Sequence, residues 1–222
     1  AWLNEFKSCY AIEHEKIIVN EINSNTENIK MAEVIYQLSE KTQGQSILVT
    51  DVGQHQMVAA RYYQFRCYDS HITSGGLGTM GFALPAAIGA KLAIPTREII
   101  AIIGDGGFQM NIQELGVISQ ENLPVKIIIL NNNYLGMVRQ WQELFFEQRY
   151  SFTELKNPDF VKIAEGYGIP ALKVTNKAHL DNALNTMLQA NTPYLLEIMV
   201  EKQENVFPMI PSGLGVSEVR LS

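Results

Sequence analysis

The chain has 222 residues, enough for one large domain or one domain with appendages. Hydrophobic residues make up 46% and charged residues 18%, which supplies a core and excludes a disordered chain. A net charge of −6 speaks against nucleic acid or an anionic membrane as a partner, and no apolar run reaches the ~18 residues of a membrane span.

Residues 1–27 read as polar and irregular after one short helical segment. They carry charges throughout and no apolar signal core. The absence of an initiator Met is what a segment of a longer polypeptide would show. Met31, Val34, Ile35 and Leu38 then follow helical spacing. "SILVTDV" (46–52) is short, apolar and rich in β-formers, and predicts a strand. "GFALPAAIGAKLAI" (81–94) is small and apolar throughout, as a helix buried between layers would be. "EIIAIIGD" (98–105) predicts the next strand, "NIQELGVISQEN" (111–122) a helix, and "VKIIILNN" (125–132) a third strand.

Met137, Trp141, Leu144 and Phe145 fall on one helical face. "NPDF" (157–160) reads as a helix start, with Asn157 as N-cap and Pro158 at the first helical position, followed by the stripe Phe160, Ile163, Ala164 and Tyr167. "ALKV" (171–174) is a short strand, Leu180 to Leu188 mark another helix, and "YLLEIMV" (194–200) is a last strand. Residues 205–222 are a coil containing proline and glycine. Nearly continuous apolar strands alternating with helices predict an α/β fold in three layers, a mostly parallel sheet with helices on both faces.

In such sheets ligands bind at the carboxyl ends of the strands. Three strands end in polar or glycine-rich turns: "TDVGQHQM", "GDGGFQMN" and "LNNNYLG". Each alone is compatible with an ordinary strand–helix turn, but the three together point to a site. The spacing of Asp105 and Asn132 suits a strand–helix–strand crossover, which puts both on one rim. One carboxylate and one amide oxygen suit Mg²⁺, which keeps water and phosphate oxygens in its shell. Glycines on both sides of Asp105 let a bulky anion approach the backbone, and the following helix offers its first amides to that anion.

Other motifs are weaker. Gly76, Gly78 and Gly81 form a formal G-x-G-x-x-G, but the preceding "YDSHITS" is polar, whereas a dinucleotide fingerprint follows a buried strand. No P-loop and no zinc spacing occur. His55 reads either as a phosphate contact or as a structural turn histidine, and Trp141 as core or as one wall of the site. Cys9 and Cys67 lack a CxxC or a partner cluster and read as free thiols of a reducing cytoplasm.

Together these residues resemble the thiamine diphosphate enzymes, whose diphosphate-binding domain carries GDG and, a crossover later, NN. The finer likeness is to the catalytic large subunit of acetohydroxyacid synthase (acetolactate synthase). It rests on "TDVGQHQM", "TSGGLGTMGFALPAAIGA", "GDGGFQMNIQEL", "LPVKIIILNNNYLGMVRQWQELFFEQRYS" and "NVFPMIPSG", and spans about Ile47 to Pro211.

The resemblance implies that Asp105 and Asn132 ligate Mg²⁺, with the backbone carbonyl of Tyr134 as a third protein ligand. Gln54, His55, Gly106 and Gly107 would contact the diphosphate of thiamine diphosphate. Gly78 and Met80 would hold its aminopyrimidine through backbone groups, and the Met80 side chain would prop the cofactor in a bent shape. Val52, Gly53 and Met137 would complete the cofactor site, and Val52, Met137, Val138 and Trp141 would line the substrate side. Gly107 stands where many members have Ser, which removes a hydroxyl but leaves the backbone donor.

The implied reaction is decarboxylative condensation of pyruvate with a second 2-keto acid, pyruvate or 2-ketobutyrate, in branched-chain amino-acid biosynthesis. The family further implies a homodimer or tetramer, a small regulatory subunit among its partners, and FAD bound mostly outside this chain. The activating glutamate would also lie outside, so residues 1–222 alone are expected to be inactive. The implied division is 1–27 as an appendage, 28–204 as the cofactor domain and 205–222 as a tail. Two other readings remain, a different thiamine diphosphate-dependent carboligase or decarboxylase and a non-catalytic metal-binding module. The Trp141 segment speaks against the first, and the retention of every cofactor residue against the second.

Overall fold

The computed structural model describes residues 2–211 and 213–220. Six strands form one sheet: β1 (Ile47–Thr50), β2 (His71–Thr73), β3 (Ile99–Gly104), β4 (Val125–Asn131), β5 (Ala171–Val174) and β6 (Tyr194–Met199). The spatial order is β2-β1-β3-β4-β6-β5, and every neighbouring pair is parallel. The helices are α1 (Trp2–Glu13), α2 (Val19–Ile22), α3 (Met31–Thr42), α4 (Gln54–Tyr62), α5 (Ala83–Ala93), α6 (Asp105–Met110), α7 (Leu115–Gln120), α8 (Gly136–Phe145), α9 (Phe160–Gly166) and α10 (Leu180–Gln189). Parallel strands cannot be joined by tight turns, so helices carry each crossover and cover the sheet.

The apolar strands divide by period 2. Ile100, Ile102, Ile128 and Leu130 point to one face, where they pack with Val34, Leu38, Val58 and Leu184 from α3, α4 and α10. Ile99, Ala101, Ile103, Ile127 and Ile129 point to the other, onto Leu84, Ala87, Leu115 and Phe160 from α5, α7 and α9. This is the predicted three-layer α/β architecture.

Several local expectations change. Most of residues 1–27 are helical, through α1, a π-helical turn at His14–Ile18, and α2. The polar stretch before the glycine-rich loop does hold a strand, β2; it is a half-buried edge strand, which tolerates polar residues. Helix α5 buries only one face, because Pro85, Gly89 and Leu92 are exposed. The helix predicted over 111–122 is broken. Helix α6 starts at Asp105 and stops at Asn111, whose side chain donates to the Gly81 carbonyl, and a 3₁₀ turn precedes α7. Asp159, not Asn157, caps α9, accepting from the Lys162 N–H. Asn157 is engaged elsewhere.

Candidate functional site

Sheet order locates the site. From β1 the chain first crosses to β2 on one side and then to β3 on the other, so the carboxyl ends of β1 and β3 flank a topological switch point. The turns "DVGQ" and "GDGG" leave from that crevice. β4 lies beside β3 with Gly104 opposite Leu130, which brings Asn132 to the same rim.

A cleft with room for about 60 Å³ of solvent opens there. Twelve of the fourteen predicted site residues line it: Val52, Gly53, Gln54, His55, Met80, Asp105, Gly106, Gly107, Asn132, Tyr134, Met137 and Val138. Gly78 lies on the adjoining exposed loop; a Cβ there would be 3.9 Å from the Val52 side chain. Trp141 stands one helical turn further along α8. It packs on Phe145 at 4.9 Å between ring centroids and lines two neighbouring grooves, shared with Val138 and with Met137.

Buried Asp51 ends β1 and organises the loop beside the cleft. Its two oxygens accept from the Gly81 N–H at 3.0 Å and the Ala83 N–H at 2.9 Å, so it caps α5 from outside that helix. Gly53 has φ +152°, and a Cβ on it or on Gly104 would come within 2.9 Å of the His55 ring. Two backbones thus close on one imidazole. Buried His55 keeps Nε2 without a partner. Burial lowers its pKa to about 4 against the opposing pull of Asp51, so the ring is neutral at pH 7.

Asp105 is buried at the start of α6. Burial pushes its carboxyl up to about 6, tempered by hydrogen bonds from Asn157 and from backbone groups including Gly106 and Asn133. Asn132 turns its amide oxygen onto the Tyr134 N–H at 3.0 Å. A carbonyl oxygen has two lone pairs, so this bond leaves one free. Gln54 lies beside Asn132, donating to Gln140 Oε1 at 2.8 Å and to the Glu204 carbonyl at 2.7 Å.

These groups fit a shared ion. Among the described residues no cluster of three or more His, Cys, Asp or Glu side chains gathers to cage a metal. One carboxylate and one amide oxygen suit Mg²⁺ only if a bound phosphate supplies further oxygens. The glycines and His55, whose buried Nε2 has no partner, line the space that such an anion would fill.

Sequence reasoning missed Asp51, Asn131, Gly136, Gln140, Asn157 and Glu197. Asp51 and Asn131 carried a local signal, as polar residues ending apolar strands. Gln140, Asn157 and Glu197 act across 24 to 86 residues of chain, which no local pattern reveals.

Comparison with known proteins identifies the family. The profile of the family described as "Thiamine pyrophosphate enzyme, C-terminal TPP binding domain" matches residues 51–198. The large subunit of acetolactate synthase isozyme 2 of Escherichia coli K12 is 48% identical, over 84% of this chain and 34% of its own length. Acetolactate synthase 2, chloroplastic, of Zea mays is 50% identical over 84% of this chain and 31% of its own. The acetolactate synthase large subunit of Lactococcus lactis is 47% identical over 86% and 33%. The chain therefore spans about a third of the length of these relatives. Among solved structures, the thiamine diphosphate-dependent 4-hydroxybenzoylformate decarboxylase of Rhodococcus jostii RHA1 superposes with a TM-score of 0.75 at 28% identity, over 82% of this chain and 34% of that one. A parallel sheet with a glycine-cradled carboxylate at its switch point, inside the span this family's profile matches, places the chain among the thiamine pyrophosphate enzymes, as their C-terminal TPP binding domain.

Proposed function

We propose that this chain is the diphosphate-binding part of an acetolactate synthase, holding Mg²⁺ and thiamine diphosphate in the cleft between β1, β3 and β4. The observation that carries the reading is that Asp105, Asn132 and His55, a histidine with an unpartnered buried nitrogen, line one glycine-rich cleft. The 47–50% identity to acetolactate synthases of two bacteria and a plant favours that activity over other thiamine-dependent decarboxylations.

In this reading Asp105, Asn132 and the Tyr134 carbonyl hold the metal. The Gly106 and Gly107 backbones, with Gln54 and His55, receive the diphosphate. Neutral His55 has no spare N–H at Nε2 if its other nitrogen donates to the Asp51 backbone, so anion binding there draws in a proton. Met80 and Val52 fix the cofactor's conformation together with the Gly78 backbone. Once bound, the cofactor supplies the electron sink for decarboxylation and carbon–carbon bond formation. Val138 and Trp141 shape the space for pyruvate and the second 2-keto acid.

Among the described residues no glutamate lines the cleft; in this reading the acid that activates the pyrimidine comes from beyond its walls. FAD, a homodimer or tetramer, and a small regulatory subunit belong to the same reading, as does the division into 1–27, 28–204 and 205–222. Exposed free Cys9 and Cys67 suit a reducing compartment such as the cytoplasm, and among the described residues no helix is long and apolar enough to cross a membrane.

The test is a titration of Mg²⁺ with thiamine diphosphate, followed by an acetolactate assay with pyruvate, on the protein that carries this chain. Asp105→Ala removes the only charged ligand and is expected to abolish cofactor binding. Equal cofactor affinity in variant and wild type would sink the assignment. Acetaldehyde in place of acetolactate would redirect it to a decarboxylase.

A further inference from the structure

Asn157 lies outside the cleft lining, on the loop before α9. Its Nδ2 stands 2.7 Å from Asp105 Oδ2, 3.1 Å from Asn131 Oδ1 and 3.2 Å from Asn133 Oδ1. Its Oδ1 accepts from Gln109 Nε2 at 2.8 Å. We propose that Asn157 is a positioning residue that holds the Asp105 carboxylate in its ligating orientation, and that Glu197, acting through Asn131, fixes which way Asn157 points. The proposal deepens the reading of Asp105 as a metal ligand and rests on it.

The polarity of the row is determined at its ends. The Lys173 ammonium donates to Glu197 Oε1 at 2.8 Å, and Asn131 Nδ2 donates to the same oxygen at 2.7 Å. Asn131 must therefore turn its own oxygen the other way. There it accepts from the Asn133 N–H at 2.9 Å and from Asn157. Asn157 then faces three oxygens, one of them a carboxylate, and can meet them only with its N–H₂ group. Flipping any amide in the row would set donor against donor or oxygen against oxygen.

A ligating carboxylate that is free to rotate loses part of its metal affinity, which is why the hydrogen bonds behind such ligands matter. Here the support comes from three separate elements, β4, β6 and the loop before α9. The bond from Asn157 to Oδ2, with the backbone bonds from Gly106 and Asn133, fixes the plane in which the Asp105 carboxylate meets an ion. Lys173 is the outer anchor: it sits on edge strand β5 with its side chain 44% exposed, while Glu197 is 1% exposed.

The experiment uses the protein that carries this chain, with Mn²⁺ as the metal probe and thiamine diphosphate present. Free Mn²⁺ is read by electron paramagnetic resonance, and the melting point of the metal-free protein is measured in parallel. Asn157→Ala is expected to weaken Mn²⁺ binding about 10–100-fold, the range seen for lost supporting partners, while the metal-free protein still melts cooperatively at a temperature lowered by the lost hydrogen bonds. The apparent KM for Mg²⁺ should rise, and kcat at saturating Mg²⁺ should recover. Glu197→Gln keeps the side-chain volume and should lower Mn²⁺ affinity in the same direction but less; it carries the test if Asn157→Ala does not fold. Wild-type Mn²⁺ affinity in Asn157→Ala or Glu197→Gln, with Asp105→Ala abolishing it, would overturn the proposal alone. Wild-type affinity in Asp105→Ala would overturn the metal-site reading beneath it.

Discussion

Gln54 on α4 donates its side-chain N–H to Gln140 Oε1 on α8 at 2.8 Å, and that same oxygen accepts the Val206 N–H at 2.9 Å. Both glutamines are buried. One amide therefore ties the cleft floor to the segment after β6. Gln140→Leu keeps the apolar bulk but orphans two buried donors. At about 1–3 kcal/mol for each unsatisfied group, the expected loss is about 2–6 kcal/mol, measurable by urea denaturation. Cofactor affinity should also fall, because Gln54 loses one of the two acceptors that orient it.

Asp105 costs stability while no ion is present. Its carboxyl titrates near 6 in the fold and near 3.8 when unfolded. Between those values the folded state holds the extra proton, so stability falls as pH rises from about 4 to 6. Asp105→Asn removes this penalty. The metal-free variant should be about 1–3 kcal/mol more stable than wild type at pH 7.5, with no advantage below pH ~4. Saturating Mg²⁺ and thiamine diphosphate should reverse the order, since only wild type binds them. Chemical denaturation with and without chelator checks both halves.

His55 has the opposite slope. Its pKa is about 4 in the fold against 6.5 unfolded, so the unfolded chain takes up the proton first. Its contribution is complete above pH 6.5 and is lost as pH falls toward 4, by up to about 3 kcal/mol. Over most of the acid range the two groups offset each other. The wild type should show a shallow pH profile, Asp105→Asn a steep acid loss, and His55→Leu a gain toward acid pH. Parallel profiles in all three would refute the sign assignments.

Gly136 opens α8 against the cleft. A Cβ there would stand 2.2 Å from Gln54 Oε1 and 2.8 Å from Asn132 Nδ2. Both are held side chains, so Gly136→Ala should displace them, cost about 1–3 kcal/mol in overpacking and weaken metal binding. Thermal melting and Mn²⁺ titration read the two effects separately.

Trp141 lies away from the metal rim, 40% exposed, between two grooves. Trp141→Leu should leave Mg²⁺ affinity intact. It should shift the ratio of products from pyruvate and 2-ketobutyrate by about 1–2 kcal/mol, the scale of one altered apolar contact. Competition between the two keto acids gives the ratio directly.

The sheet was legible because buried parallel strands are apolar along their whole length, as "IIAIIG" and "VKIIILN" are. The rim was legible because apolar runs that stop at Asp105 and Asn132 leave polar groups at the strand ends. Strand β2 escaped because three residues at a sheet edge carry too little pattern. Asn157 was misread for a physical reason: Asn157 and Asp159 are both cap-type residues two positions apart, and tertiary bonds to Asp105 and Asn131 claim the first. The break at Asn111 likewise follows from its bond to Gly81, thirty residues earlier in the chain.

The position of β6 between β4 and β5 constrains the order of assembly. During synthesis β5 emerges first, but it has no strand to pair with until residues 194–199 arrive. The same late strand delivers Glu197, without which the Asn131 and Asn157 amides have no fixed direction. A growing chain can thus lay down Asp105, Asn132 and the glycine turns early and still lack an ordered ion site. The site matures only when its last strand slots into the gap, a long-range closure of the kind that slows folding.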